Sequence, residues 1–272
     1  MIGILLPALL AGLVATAATV AVERWGGRIG GLLSTLPTTI VPAAVGISAQ
    51  SVSVEAFQAA MAACSAGMLV DVLFLYFWRI VPPRLPTIGL WGRLVLMLVV
   101  SLSGWLVIAA GIILFLQHLG ARGAPLLLIG AGLVVLTVGL GIVACMRNPP
   151  SPAGHRKVGL ATLLARGVLA GAAIAGAVWL ASVGGAVAAG IASVFPAIFL
   201  TTMVSLWISQ GESVQAGAVG PMMLGASSVS TFALIAALTI PALGAALGSL
   251  LAWGLSVCLV TVPAWRWLER RA

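Results

Sequence analysis

Runs of about twenty apolar residues follow one another along almost the whole chain, and that succession limits the possible folds more than any motif does. A helix needs roughly 20 apolar residues to cross the hydrocarbon core of a bilayer. Nine such spans can be drawn, at roughly 2–22, 29–50, 54–78, 88–116, 124–146, 159–182, 184–209, 213–238 and 240–264, with short connections between them. Composition agrees: 62% of the 272 residues are hydrophobic and 7% are charged, and the mean hydropathy is +1.23. A chain of this kind has no soluble exterior. The expected fold is all-α, a polytopic membrane helix bundle of about nine transmembrane helices in one integral membrane domain, 1–272.

The basic residues orient the spans. With the N-terminus on one side, the opposite side carries Arg24 and Arg28, then Arg79, Arg84 and Arg93, then Arg147, Arg156 and Lys157, and finally Arg266, Arg270 and Arg271. Only Arg122 falls on the N-terminal side, and Arg166 lies inside the sixth span. Basic residues in short loops stay in the cytoplasm, which predicts N-terminus out and C-terminus in. The net charge of +8 and the pI near 11.3 are then orientation signals with some attraction to anionic headgroups, and they do not indicate nucleic acid as a partner. Ala15-Thr16-Ala17 has the form of a cleavage site, but no basic segment precedes it and the apolar run is long, so it reads as a retained helix. Cys64, Cys145 and Cys258 occupy three different spans without metal-ligand spacing.

The chain also resembles itself. "GGLLSTLPTTIVPAAVGIS" from Gly30 aligns with "AGIASVFPAIFLTTMVSLW" from Ala189, matching Gly31 to Gly190, Ser34 to Ser193 and Pro37 to Pro196. The match extends from "SVEAFQAA" to "ESVQAG" and from Pro86 to Pro241, at an offset of about 155–159 residues. Spans 1–4 therefore correspond to spans 6–9, which divides the chain into a first repeat at 1–117, a connector helix and cytoplasmic linker at 118–158, and a second repeat at 159–272. An odd number of spans separates matching helices, so the second copy is inverted. Inverted repeats recur in secondary transporters, where interrupted helices meet near the bilayer midplane. The plainer reading is that a Gly- and Ala-rich apolar chain resembles itself by composition.

In each half a first helix is followed by "GGLLSTLPT" or "AGIASVFPA" and by a last helix preceded by proline. This layout, with "PALGAALGSLLAWGLS" from Pro241 to Ser256, resembles the GlpM-like family of small four-helix inner-membrane proteins. The resemblance implies a tandem inverted duplication of that unit in the bacterial inner (plasma) membrane. It implies no biochemical activity.

Proline lacks an N–H and clashes with the carbonyl four residues back, so Pro37, Pro42 and Pro196 free carbonyls inside their spans. Those groups need partners from neighbouring helices, hydroxyls, water or a ligand. Ser34, Thr35, Thr38 and Thr39 surround the first break, and Ser193, Thr201 and Thr202 the second. Breaks at equivalent places in two copies point to a substrate site built from Ser34, Pro37, Thr38, Thr39, Ser193, Pro196, Thr201 and Thr202. Packing kinks whose hydroxyls satisfy their own carbonyls are the alternative.

Asp71 lies eight residues before Arg79, and Arg166 about seven residues into its span. At 1.5 Å per residue both sit roughly 10–12 Å inside the cytoplasmic face. Either charge alone in hydrocarbon costs about 3 kcal/mol, so the two are expected to be neighbours, as a structural staple or as a coupling or anion-binding pair. Glu55 and Glu212 open the third and eighth spans, where the helix dipole favours a carboxylate. They are also candidate gates at opposite faces, with Gln50 and Gln210 along the route. Trp25, Trp78, Trp91, Trp265 and Trp267 mark span ends as interfacial anchors, whereas Trp105, Trp179, Trp207 and Trp253 lie deeper and either pack or line a cavity.

No enzyme signature is present. His118 and His155 lie in loops without catalytic or metal-binding company, no phosphate loop exists, and neither cofactor nor metal is expected. Three functions fit: a small secondary carrier for a small or amphiphilic solute, a non-transporting scaffold or accessory subunit, and a flippase for a lipid carrier. The carrier accounts for the most features. The expected partners are the bilayer and a small-molecule solute, and the small-residue faces equally suit a homo-oligomer or a membrane-protein partner.

Overall fold

A computed structural model of the chain describes residues 2–25, 36–147, 159–210 and 212–270. Most of these residues are helical, and none lies in a strand. In chain order the helices are α1 (Ile2–Trp25), α2 (Ile40–Gln50), α3 (Val54–Ile80), α4 (Leu90–Ala121), α5 (Leu126–Met146), α6 (Leu160–Ser182), α7 (Ala186–Ala192), α8 (Ala197–Gln210), α9 (Glu212–Leu243), α10 (Ala245–Ser256) and α11 (Val262–Glu269). Among the described residues, seven stretches are long and apolar enough to cross a membrane: Val54–Ile80, Leu90–Ala121, Leu126–Met146, Leu164–Ser182, Ala186–Ile208, Ala216–Leu243 and Ala245–Glu269. Two shorter apolar stretches, Gly3–Thr16 and Ile40–Gln50, accompany them. This is a polytopic membrane helix bundle.

Local chemistry sets the ends of these helices. Ser53 caps α3, its Oγ accepting from the Ala56 N–H at 3.1 Å. At the other end of α3, two prolines form a short 3₁₀ turn at Pro82–Arg84. Arg93 ties this connection down by donating to the carbonyls of Leu85, Pro86 and Pro82 at 3.2, 3.1 and 2.9 Å. Arg79 donates to Ala144 O at 3.0 Å and Arg147 O at 2.6 Å, satisfying the last carbonyls of α5. Basic residues of one expected cytoplasmic cluster thus also cap helix ends.

The boundary between the eighth and ninth spans differs from the sequence expectation. α9 runs through Pro241 and turns at Gly244, whose φ of +80° suits glycine alone. Thr239 remains helical and donates to Gly248 O at 2.8 Å, pinning α10 onto α9. Near its end the last span widens into a π turn at Val257–Thr261, which absorbs the clash expected from Pro263.

α3 and α9 form the centre, with Phe74, Trp78 and Phe232 fully buried. Ser65 Oγ donates to Ser230 O at 3.4 Å and Gln58 Nε2 donates to Ala237 O at 3.3 Å. Seven residues back along α3 correspond to seven residues forward along α9, so these helices run antiparallel. α1 and α6 behave in the same way: Gly12 lies against Gly167, and Ala8 against Gly171. The small residues at these crossings let backbones approach to contact. α4 and α5 lie at the periphery and expose Leu106, Val107, Leu114, Leu128 and Val135.

Candidate functional site

The seventh span is not one helix. α7 ends at Ala192 and α8 begins at Ala197, on either side of a turn through Ser193, Val194, Phe195 and Pro196. Around Pro196 the chain makes a three-residue turn closed by a hydrogen bond from Ala197 N to Phe195 O at 2.7 Å. Pro37 carries the same turn, closed from Thr38 N to Leu36 O at 2.7 Å, and α2 begins two residues later. Proline explains both. Its fixed φ is compatible with the tight turn, and its missing N–H cannot continue the helix behind it.

The two turns face one cavity of about 60 Å³. Leu36, Thr39 and Ile40 line it from the first turn, Ser193 to Pro196 from the second, Ala170, Ala173 and Ile174 from α6, Met68 and Asp71 from α3, and Val229 from α9. The volume holds a few water-sized groups and is far below the several hundred Å³ of a typical solute pocket. Thr39 makes no side-chain cap bond to α2. The first turns of α2 and α8, the positive ends of two half-helices, line the same cavity as Asp71 of α3.

Asp71 is 1% exposed. Its Oδ1 accepts from the indole Nε1–H of Trp105 on α4 at 2.7 Å. The Trp105 ring also meets Phe195 edge to face, with centroids 5.3 Å apart and planes at 80°. One indole therefore holds both the carboxylate and the apex of the α7–α8 turn. Cys64, one turn or so from Met68 on α3, lies beside Ser193. Ser193 Oγ donates to Gly190 O at 2.7 Å, and Gly190 itself presses on the Ala60 backbone of α3.

Arg166 is 4% exposed and engages α8. Its Nε donates to Thr201 Oγ1 at 3.0 Å and its Nη2 to Thr202 Oγ1 at 2.6 Å. Thr201 passes its own hydrogen to Ala197 O at 2.8 Å, one turn back toward Pro196.

The expected Asp71–Arg166 ion pair is therefore not formed: the carboxylate is bonded to Trp105 and the guanidinium to two threonines. Depth along the span was the only coordinate that sequence supplied, and direction around the helix decided the outcome. The broken helix α7–α8 stands between α6, which carries Arg166, and α3, which carries Asp71.

The other candidates divide as follows. Thr39, Ser193 and Pro196 line the cavity with Asp71, and Pro37 is buried in the first turn. Thr38 bonds to its own turn, its Oγ1 donating to Leu36 O at 3.4 Å. Thr201 and Thr202 hold Arg166 and are not among the residues lining the cavity. Glu55 is exposed in the first turn of α3, away from the cavity. Gln50 is half-buried and approaches Gly3 of α1. Ser34 and Thr35 lie outside the described residues, as do the side chains of Glu212 and Gln210, which sit at the start of α9 and the end of α8.

Trp105 and Phe195 are the site residues that sequence reasoning did not assign. Trp105 showed only as a mid-span tryptophan, and nothing in the string indicated which face of α4 it occupies. Among the described residues no group of three metal-ligand side chains assembles. Comparison with protein-family models, curated proteins and solved structures finds no match.

Proposed function

We propose that the chain is a small secondary carrier for a small or amphiphilic solute, with its substrate site between the two proline turns and Asp71 as its coupling group. The observation that carries this reading is the repetition of one turn, closed by one kind of hydrogen bond, at Pro37 and Pro196, with both turns on a cavity that contains a buried carboxylate. Discontinuous helices around a midplane site are the usual way transporters offer backbone groups and helix ends to a solute. The reading includes a nine-span topology with two inverted four-helix repeats of GlpM-like layout and the N-terminus outside. The antiparallel packing of α3 on α9 and of α1 on α6 supports it, because these pairs join matching helices of the two repeats. A cavity of about 60 Å³ is too small for a solute of ordinary size, so transport requires the turns to part.

Cysteine accessibility tests this. Cys64, Cys145 and Cys258 are replaced, single cysteines are installed at Thr39 or Ser193, and intact cells and inverted vesicles are treated with a membrane-impermeant maleimide. Labelling of both positions from both sides is the expected result and justifies substrate screening. Protection of both from both sides describes a dry core, and the carrier is then abandoned in favour of a scaffold.

A further inference from the structure

Asp71 is the only aspartate in the chain, and its two oxygens are used unequally. Oδ1 accepts the Trp105 indole, whereas Oδ2 accepts no hydrogen bond among the described residues. Asp71 lines the central cavity, where it is the only ionisable residue among those described. A space of about 60 Å³ admits a few waters, and such waters can bring a proton to the free oxygen.

No fixed cation stands beside that carboxylate among the described residues. Arg166 of α6 is turned to Thr201 and Thr202 of α8. On α3 itself, Glu55 lies in the first turn, Cys64 sits beside Ser193, and Tyr76 is exposed. Arg79 is eight residues beyond Asp71, about 12 Å along the helix, and donates to the carbonyl end of α5 that carries Cys145 and Arg147. Arg84 follows in the 3₁₀ turn. Arg93 and His118 lie near the ends of α4, about 18–20 Å from Trp105. Glu212 begins α9, about 25 Å before the cavity-lining Val229. The sequences of α2 and α7 contain no ionisable residue, nor does that of α8.

A proton on Oδ2 has a mechanical consequence through Trp105. A hydrogen bond to an ionised carboxylate is about twice as strong as one between neutral groups. Protonation removes that charge and weakens the hold on the indole, whose ring packs against Phe195 at the apex of the α7–α8 turn. The first turns of α2 and α8 lose the same anion from the cavity they share with it. We propose that Asp71 binds the coupling ion, a proton, and that this proton releases a latch in which Trp105 holds the α7–α8 turn closed. The proton passes from cavity water to Oδ2, forming one O–H bond, and leaves from the same oxygen. The inference rests on the carrier reading and names its coupling ion.

The test uses the full chain, made by cell-free synthesis with carbon-13 in the aspartate side-chain carboxyl and nitrogen-15 in the tryptophan indole. One labelled carboxyl and nine labelled indoles result. NMR of the reconstituted wild-type protein follows both while pH is varied over the range in which the bundle stays folded. As pH falls, the carboxyl resonance is expected to move upfield in one step, and one indole N–H, the one absent from Trp105→Phe, to move with the same midpoint. Asp71→Asn keeps an acceptor oxygen without the charge. In this variant the indole signal is expected not to titrate, and a Ser193 cysteine in the cysteine-free background to label several-fold faster than with Asp71. A carboxyl resonance that stays fixed in the wild-type protein overturns the proton assignment, however the variants fold. A carboxyl that titrates while every indole stays still overturns the latch. Either result leaves the carrier standing if cysteines at Thr39 and Ser193 are labelled from both sides, whereas protection of both cysteines with the titration intact removes the carrier and with it the coupling role.

Discussion

Removing the indole donor from Asp71 gives the most informative perturbation of the site. Trp105→Phe deletes the 2.7 Å hydrogen bond to Oδ1 but keeps a ring against Phe195. The edge-to-face contact, about 0.5–1.5 kcal/mol, largely survives. The lost hydrogen bond is worth about 1.5–3 kcal/mol if the acceptor is charged. Between uncharged partners inside membrane bundles, measured couplings average about 0.6 kcal/mol and reach about 1.7. Trp105→Phe also leaves a smaller ring in a larger space, and a second background separates the two effects. In Asp71→Leu no acceptor remains, so the same substitution there costs only the packing loss. The difference between the two costs is the coupling energy, read from equilibrium unfolding in mixed micelles with rising SDS fraction. We expect at least about 0.6 kcal/mol, and a value of 2 or more would mean that Asp71 is ionised in the folded bundle. If the two costs agree within about 0.5 kcal/mol, the residues are independent and the site as described is wrong.

Three further outcomes are expected. Gly190→Ala drives a Cβ into the Ala60 carbonyl of α3, which cannot move aside, and should destabilise by about 1–3 kcal/mol; Gly132→Ala meets nothing within 4 Å and should be neutral or stabilising by up to about 1 kcal/mol in the same assay. Pro196→Ala releases the φ that proline fixes in the turn before α8 and should destabilise by about 0.4–1 kcal/mol through the unfolded chain, while maleimide labelling of a Ser193 cysteine falls; unchanged labelling would show that the break does not control access. Arg166→Lys replaces a fork that reaches both Thr201 and Thr202 with a single ammonium, and should lower unfolding stability by about 1–3 kcal/mol; a loss no larger than that of an exposed arginine such as Arg122 would refute the role given to the pair.

Several features of the site were legible in the string. Proline lacks a donor and crowds the preceding turn, so Pro37 and Pro196 could be marked as candidate breaks and their matched flanks related one to the other, although Pro7, Pro221 and Pro241 lie inside continuous helices. Thr39, Ser193 and Asp71 could be placed near them because helix rise converts residue number into depth. Trp105 and Phe195 could not be assigned, and the Asp71–Arg166 pair was expected wrongly, for one shared reason. Apolar residues surround every helix of this bundle, so the periodicity that marks a buried face in a soluble helix is missing.

By itself, then, the sequence determined that the chain is a helical membrane bundle, roughly where its helices run, and at which prolines they could break. These properties depend on local hydrophobic length and on backbone chemistry, both of which are written residue by residue. Only the tertiary structure decided that α7–α8 stands between Asp71 and Arg166, that one indole serves both Asp71 and Phe195, and that Pro37 and Pro196 break their spans on one cavity while Pro221 and Pro241 break nothing. Such relations depend on how each helix is rotated about its axis. In a bundle whose helices are apolar on every side, that rotation is set by close packing at contacts such as Gly12 on Gly167 and Gly190 on Ala60.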